Sequence, residues 1–187
     1  MADNLRILKT KKNNALLVID IQERIIKPIK NIDGILININ LIINAYKILG
    51  DNIYFSEQNP SKLGSTNKNL LPNSKFKVFE KMAFSLGNDE LINRELNIKR
   101  VKDLIICGVE THICIQQTVI DFLKKGFNIY IVADAMGSRN IIDHNISIQR
   151  MISMGVNISS TESIIFELCK TASRDEFKEI SNLIKNK

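Results

Sequence analysis

A thiol, a carboxylate and an ammonium are sufficient for acyl transfer: the thiol attacks, the carboxylate takes its proton, and the cation steadies the charge that passes between them. Cys114, Asp20 and Lys81 are the candidates here, and each stands at or just beyond a short apolar run. Cys114 follows the turn Gly108 to His112 and falls at the start of a helix-forming stretch, where unpaired N–H groups and the helix dipole favour thiolate. Taken singly, each residue has a plainer reading. A free cysteine among apolar neighbours is more often core than nucleophile, an aspartate after a strand is more often a helix cap, and a lysine beside Glu80 more often faces solvent. The combination is what points to chemistry, because backbone N–H groups around Gly108 to Cys114 would add an oxyanion site.

The elements that must position these residues alternate. Ala15–Ile19, Asn52–Phe55, Lys77–Phe79, Leu104–Cys107, Ile129–Val132 and Val156–Ile158 read as short strands buried on both faces. Helical spacing runs over Ile35–Leu49, Asp89–Leu96, Ile113–Lys125, Ile141–Met154 and Arg174–Lys185. Strands alternating with helices imply parallel pairing through right-handed crossovers. The expected fold is a Rossmann-like three-layer α/β/α sandwich with a mainly parallel sheet of about six strands. It forms a single domain over residues 1–187, with 1–13 as an N-terminal arm. Ligands bind such sheets beyond the carboxyl ends of the strands, which is where Asp20, Lys81 and the Gly108–Cys114 turn fall. A dinucleotide-binding reading needs a Gly-x-Gly-x-x-Gly turn after a strand, and the turns at Gly108 and Gly137 lack the second glycine.

Composition narrows the classes further. The 187 residues are 44% hydrophobic and 25% charged, as in an ordinary globular chain with a full core. The net charge of +6 is scattered; its nearest cluster, Lys9, Lys11 and Lys12, has no interleaved aromatic residues, so no nucleic-acid partner is expected. No apolar run reaches the ~20 residues of a membrane span. The three cysteines, Cys107, Cys114 and Cys169, form no metal or disulfide framework, which fits a reducing, cytoplasmic setting. Ile35–Ile43 and Ile141–Met154 carry more apolar surface than one monomer buries, so a homo-oligomer, a dimer or tetramer, is expected.

Three blocks carry a family resemblance that spans nearly the whole chain. Ala15 to Gln22 (ALLVIDIQ), Glu80 to Ser85 (EKMAFS) and Ile105 to Cys114 (IICGVETHIC) resemble the aspartate, lysine and nucleophile motifs of the isochorismatase-like cysteine hydrolases, which include nicotinamidases and N-carbamoylsarcosine amidohydrolase. Val132–Ala135 and Thr161–Leu168 resemble further blocks of the family. The resemblance implies that Asp20 takes the thiol proton, Lys81 stabilises the charged pair and Cys114 attacks a carbonyl to give a thioester that water hydrolyses. It also implies a non-proline cis peptide between Val109 and Glu110, with the N–H groups of Glu110 and Cys114 aimed at the oxyanion.

Members that act on the vinyl ether of isochorismate can lack the cysteine, so Cys114 favours the amidase-like branch. Nicotinamidases hold a divalent cation through an aspartate and histidines after the second strand. Here that stretch is Ser56-Glu57-Gln58-Asn59-Pro60, with Asn59 where a histidine belongs, while His112 and His144 lie elsewhere. One carboxylate, Glu57, is a weak site for zinc or iron, so no catalytic metal and no cofactor is expected, and the substrate is a small molecule other than nicotinamide. Gln22, Phe55, Phe84 and His112 are the expected pocket walls, and Cys107 is expected to be inert core. The competing reading is a catalytically silent scaffold of the same fold that binds a metabolite or protein.

Overall fold

The computed structural model describes residues 13–49, 52–70 and 76–186. Apart from Asn13, the expected N-terminal arm with its three lysines lies outside them. Six strands, β1 Asn14–Ile19, β2 Asn52–Gln58, β3 Lys77–Lys81, β4 Asp103–Val109, β5 Asn128–Gly137 and β6 Asn157–Ser159, form one sheet in the order β3-β2-β1-β4-β5-β6. Every pair is parallel, so all carboxyl ends share one edge. The helices are α1 Glu23–Ile26, α2 Ile32–Leu49, α3 Pro60–Leu63, α4 Glu90–Ile98, α5 Gln116–Lys124, α6 Ile141–Ser153, α7 Thr161–Cys169 and α8 Phe177–Lys185.

Alternation along the strands sorts side chains to two cores. Leu16, Val18, Ile105, Cys107 and Val109 join the layer packed with α2, α7 and α8. Ala15, Leu17, Ile19, Leu104 and Ile106 point the other way, into a cluster that holds Ile92, Val119, Phe122 and Met151 from α4, α5 and α6. Burial on both faces is why β1 and β4 read as unbroken apolar runs. Among the described residues one helix, α2, is long and apolar enough to cross a membrane, but half of it is buried here as a core helix.

The structure extends the expected elements where polar residues had concealed them. β2 continues through Ser56, Glu57 and Gln58, all buried. β5 runs to Gly137 through an irregularity that shifts its register against β4 between Ile106 and Gly108. Within that irregularity Asp134 accepts hydrogen bonds from the backbone and hydroxyl of Thr161, at 2.7 and 2.9 Å, and its carbonyl accepts from Asn38. Helix α7 was not expected. Its apolar positions Ile164, Ile165 and Leu168, behind a Ser160 cap that accepts from the Ser163 N–H, are the signal that marks it.

Candidate active site

Register brings the candidate residues together. Ile19 pairs with Ser56 on one side and Gly108 on the other, while Gln58 pairs with Lys81. The carboxyl ends of β3, β2, β1 and β4 therefore carry Lys81, Ser56 with Gln58, Asp20 and the turn that holds Cys114 side by side. Asp20 leaves β1 at φ 50°, a left-handed conformation that aspartate tolerates better than most residues. Gly108 is required for closeness: a Cβ there would lie 2.2 Å from the Ile19 carbonyl oxygen. No side chain fits, so β4 can approach the end of β1 only with glycine at this position.

Asp20 is fully buried and both its oxygens are engaged. Oδ1 accepts the Ser56 hydroxyl at 2.6 Å and Oδ2 accepts Lys81 Nζ at 2.6 Å. Lys81, equally buried, also donates to Gln58 Oε1 at 2.9 Å, and Gln58 Nε2 donates to the Met82 carbonyl. A buried pair of this kind persists only when its remaining hydrogen-bonding capacity is met, as Ser56 and Gln58 do here. The thiol of Cys114 is close enough to the Asp20 carboxylate and the Lys81 ammonium for both charges to act on it. Burial pushes this thiol up from its ordinary range, the negative charge of Asp20 pushes it further, and Lys81 pulls it down without restoring it. Against the expectation drawn from the helix terminus, the net effect of these groups is to favour the protonated form of the thiol. Desolvation is the largest influence because Cys114 sits in a π-helical turn, Thr111–Ile115, tucked into the core ahead of α5.

That turn is held from two directions. The N–H groups of Ile113 and Ile115 both donate to the Glu110 carbonyl, and the peptide bond between Val109 and Glu110 is cis. The buried Glu110 carboxylate takes hydrogen bonds from the backbone N–H of Arg139 at 2.9 Å and from its guanidinium, the shortest at 2.6 Å. Burial opposes ionisation of Glu110, but these bonds outweigh it and hold the carboxyl below its usual range. From α6, His144 Nδ1 is 2.9 Å from the Thr111 hydroxyl, and Ser147 donates to the Thr111 carbonyl at 3.0 Å.

Cys114 opens onto a cavity of about 280 Å³. Ile25, Pro28, Leu63, Phe84 and Ile113 form its apolar walls, and Arg24, Gln58, Glu110 and Arg139 its polar ones. Of the expected walls only Phe84 is among these. Gln22 is fully buried as a clasp: its Oε1 accepts the Gln58 N–H, and its Nε2 donates to the carbonyls of Gln58 and Gly64. Phe55 points into the α2-side core, because one step along a strand reverses the face. His112 turns away to Ser138, 3.0 Å from its hydroxyl. Ser56, Gln58 and Arg139 were missed. Ser56 and Gln58 were visible as polar residues at the end of an apolar strand, whereas Arg139 is 29 residues from Glu110 and nothing local marks it.

The donor set after β2 does not suit a metal. Glu57 Oε1 accepts the Thr66 N–H and hydroxyl at 2.6 and 2.8 Å, so the carboxylate already closes a loop. Among the described residues no three His, Cys, Asp or Glu side chains converge.

Residues 14–163 match the isochorismatase domain. The chain belongs to the isochorismatase family. It is 35% identical over 181 residues to isochorismatase family protein 1B of Dictyostelium discoideum, covering 94% of this chain and 88% of that one. It is 36% identical over 179 residues to the secreted isochorismatase effector Isc1 of Phytophthora sojae, covering 92% and 85%. The structure of the MAR1 ribonuclease from Caenorhabditis elegans superposes with a TM-score of 0.89 at 30% identity, over 95% of this chain and 92% of that one. A likeness of fold alone extends to YcaC of Escherichia coli, an octameric hydrolase of unknown specificity, with a TM-score of 0.82 at 18% identity over 95% of each chain.

Proposed function

We propose that this member of the isochorismatase family is a metal-independent cysteine hydrolase, a single domain that cleaves a small amide or related acyl compound. The observation that carries the reading is the Cys114 thiol within reach of both partners of the buried Asp20–Lys81 pair, at the wall of a small cavity.

The Asp20 carboxylate takes the thiol proton as sulfur adds to the substrate carbonyl carbon, so free thiolate need not accumulate beforehand. Lys81 holds Asp20 in place and offsets the negative charge as it passes to sulfur. The carbonyl oxygen, now an oxyanion, is met by the N–H groups of Glu110 and Cys114. The proton on Asp20 passes to the leaving nitrogen, the C–N bond breaks and a thioester remains. Water, deprotonated by Asp20, then attacks the thioester and releases the acid, and the proton returns to sulfur. Phe84 and the other apolar walls would hold the acyl part. Two further elements belong to this reading: the chain works as a homo-oligomer, and its three free, buried thiols suit a reducing compartment such as the cytoplasm.

The test is to trap the intermediate. The protein is mixed with a panel of small amides and activated acyl esters, quenched in acid and weighed intact. An acyl adduct on Cys114 that hydroxylamine discharges, and that is absent from Cys114→Ala, is the expected result. No adduct and no turnover across the panel, with Cys114 alkylated no faster than an ordinary thiol, would leave a silent binding scaffold as the better account.

A further inference from the structure

Helix α6 has two unlike faces. Its inner face is committed: His144 and Ser147 hold the nucleophile turn, and Met151 is buried in the core. Its outer face carries Ile141, Ile142, Ile146 and Ile152, exposed by 65, 61, 58 and 44%. At 100° per residue, these four and the exposed Asn145, Gln149 and Ser153 between them fill an arc of about 140°. No charged residue falls inside it, although a quarter of the chain is charged. Depletion of charge at the centre of an apolar patch is the compositional mark of a protein interface, and four isoleucines so exposed on one helix are a liability unless they are covered.

The flanks of the arc identify what covers it. Asp143 and Arg150 lie on the same side of the helix, one near each end, and among the described residues Arg150 makes no ion pair. If two α6 helices meet antiparallel about a two-fold axis between Ile146 and Ser147, Ile141 of one copy stands opposite Ile152 of the other. Ile146 then meets its own copy near the axis, Asn145 comes beside Gln149, and Asp143 faces Arg150 at the rim. The face is thus complementary to itself in residue register and charge, as an isologous contact requires. A chain of net charge +6 meets its own copy most easily through a surface that carries no net charge.

We propose that α6 is a self-association face, joining two copies of this chain through an antiparallel α6–α6 contact flanked by two Asp143–Arg150 pairs. This rests on the homo-oligomer reading above and names its surface.

The test is sedimentation equilibrium of the full chain up to about 0.1 mM. Ile146→Glu, at an exposed position the fold tolerates, is expected to weaken association by at least about 100-fold, as for a central apolar contact. Leu91→Glu, on the exposed side of α4, should leave association unchanged. Arg150→Asp should weaken it about tenfold, and the double reversal Asp143→Arg with Arg150→Asp should recover most of that loss, because each new arginine again faces a new aspartate. A wild-type chain that stays monomeric would overturn both the homo-oligomer reading and this surface. Association that survives Ile146→Glu, or a double reversal no better than the single one, would overturn the α6 contact while leaving self-association standing. Because mass is the readout, the result does not depend on whether the chain is a hydrolase.

Discussion

Cys107 and Cys114 are both buried thiols, one inside β4 and the other just beyond it, yet only one is placed for chemistry. Cys107 is fully enclosed in the α2-side core, its sulfur 3.8 Å from the Leu17 carbonyl, and burial pushes its pKa far up, with a smaller contribution from Asp134. Cys114 is pushed up by burial as well, but it faces a carboxylate able to accept its proton and an ammonium able to balance the charge left behind. On the proposed reading, the comparison teaches that what separates the two thiols is their company and not a low resting pKa. Two thiols raised alike by desolvation differ in whether a proton acceptor stands beside them.

The comparison breaks most visibly on removal of each sulfur. Cys114→Ala is expected to lower kcat/KM on any amide that acylates the enzyme by at least about 10³-fold, as for other lost nucleophiles. Cys107→Ala should leave kcat/KM within about twofold and cost on the order of 1 kcal/mol in urea unfolding, for the loss of one buried group. Equal losses of activity would mean that the two sites are not distinct.

Removal of the cation comes next. Lys81→Met leaves the Asp20 carboxylate enclosed with neutral neighbours, the Ser56 hydroxyl and the Cys114 thiol, and no balancing cation, so stability measured in urea should fall by about 3–5 kcal/mol. The Cys114 titration should also move upward, because Lys81 is the group that lowers it.

A more discriminating effect is the sign of a titration. Asp20 raises the Cys114 pKa, so Asp20→Asn should lower it and increase the thiolate fraction at a fixed alkaline pH. Iodoacetamide, which needs only thiolate, should then label Cys114 several-fold faster, while turnover that needs a base collapses. Cys107 should remain unlabelled in both proteins. Slower labelling of Cys114 would mean that Asp20 helps to ionise the thiol at rest, which is the opposite polarity.

The smallest effect concerns the support of the turn that holds Cys114. Burial lowers the pKa of His144, so the folded protein holds it neutral and the unfolded chain binds the extra proton. The stability this neutral histidine contributes is complete above its unfolded pKa of about 6.5 and is lost as pH falls toward the folded value. His144→Gln should flatten the stability–pH curve on that acid side. A thermal-melt series from pH 7 to about pH 5 would read it, and an unchanged slope would remove His144 from the account.

The fold was legible because burial on both faces writes β1 and β4 as continuous apolar runs, and because alternation with helices leaves parallel pairing as the simple solution. Asp20, Lys81 and Cys114 could be picked out because each ends or follows such a run. The pocket was less legible. Phe55 ends the strand expected from the sequence and Gln22 follows the first one, but β2 runs on to Gln58, the pleat turns Phe55 to the opposite core, and Gln22 spends its amide on Gln58 and Gly64. The residues that complete the network are buried polar groups, Ser56 and Gln58, which resemble loop residues until a register is known.

What the amino-acid order determined by itself is local: where apolar runs begin and end, that a glycine, Gly108, stands six residues before a cysteine, and that an aspartate, a lysine and a thiol are present at or just beyond strand ends. What only the tertiary structure decided is the charge state and company of those groups. Whether Cys114 rests as thiol or thiolate depends on desolvation and on Asp20 and Lys81, residues 94 and 33 positions away in the chain. Glu110 is held ionised by Arg139, and the Ile-rich side of α6 is left outward because His144 and Ser147 claim the inner side. Electrostatic energy depends on distance through space and on the water removed, and neither is written in the distance along the chain.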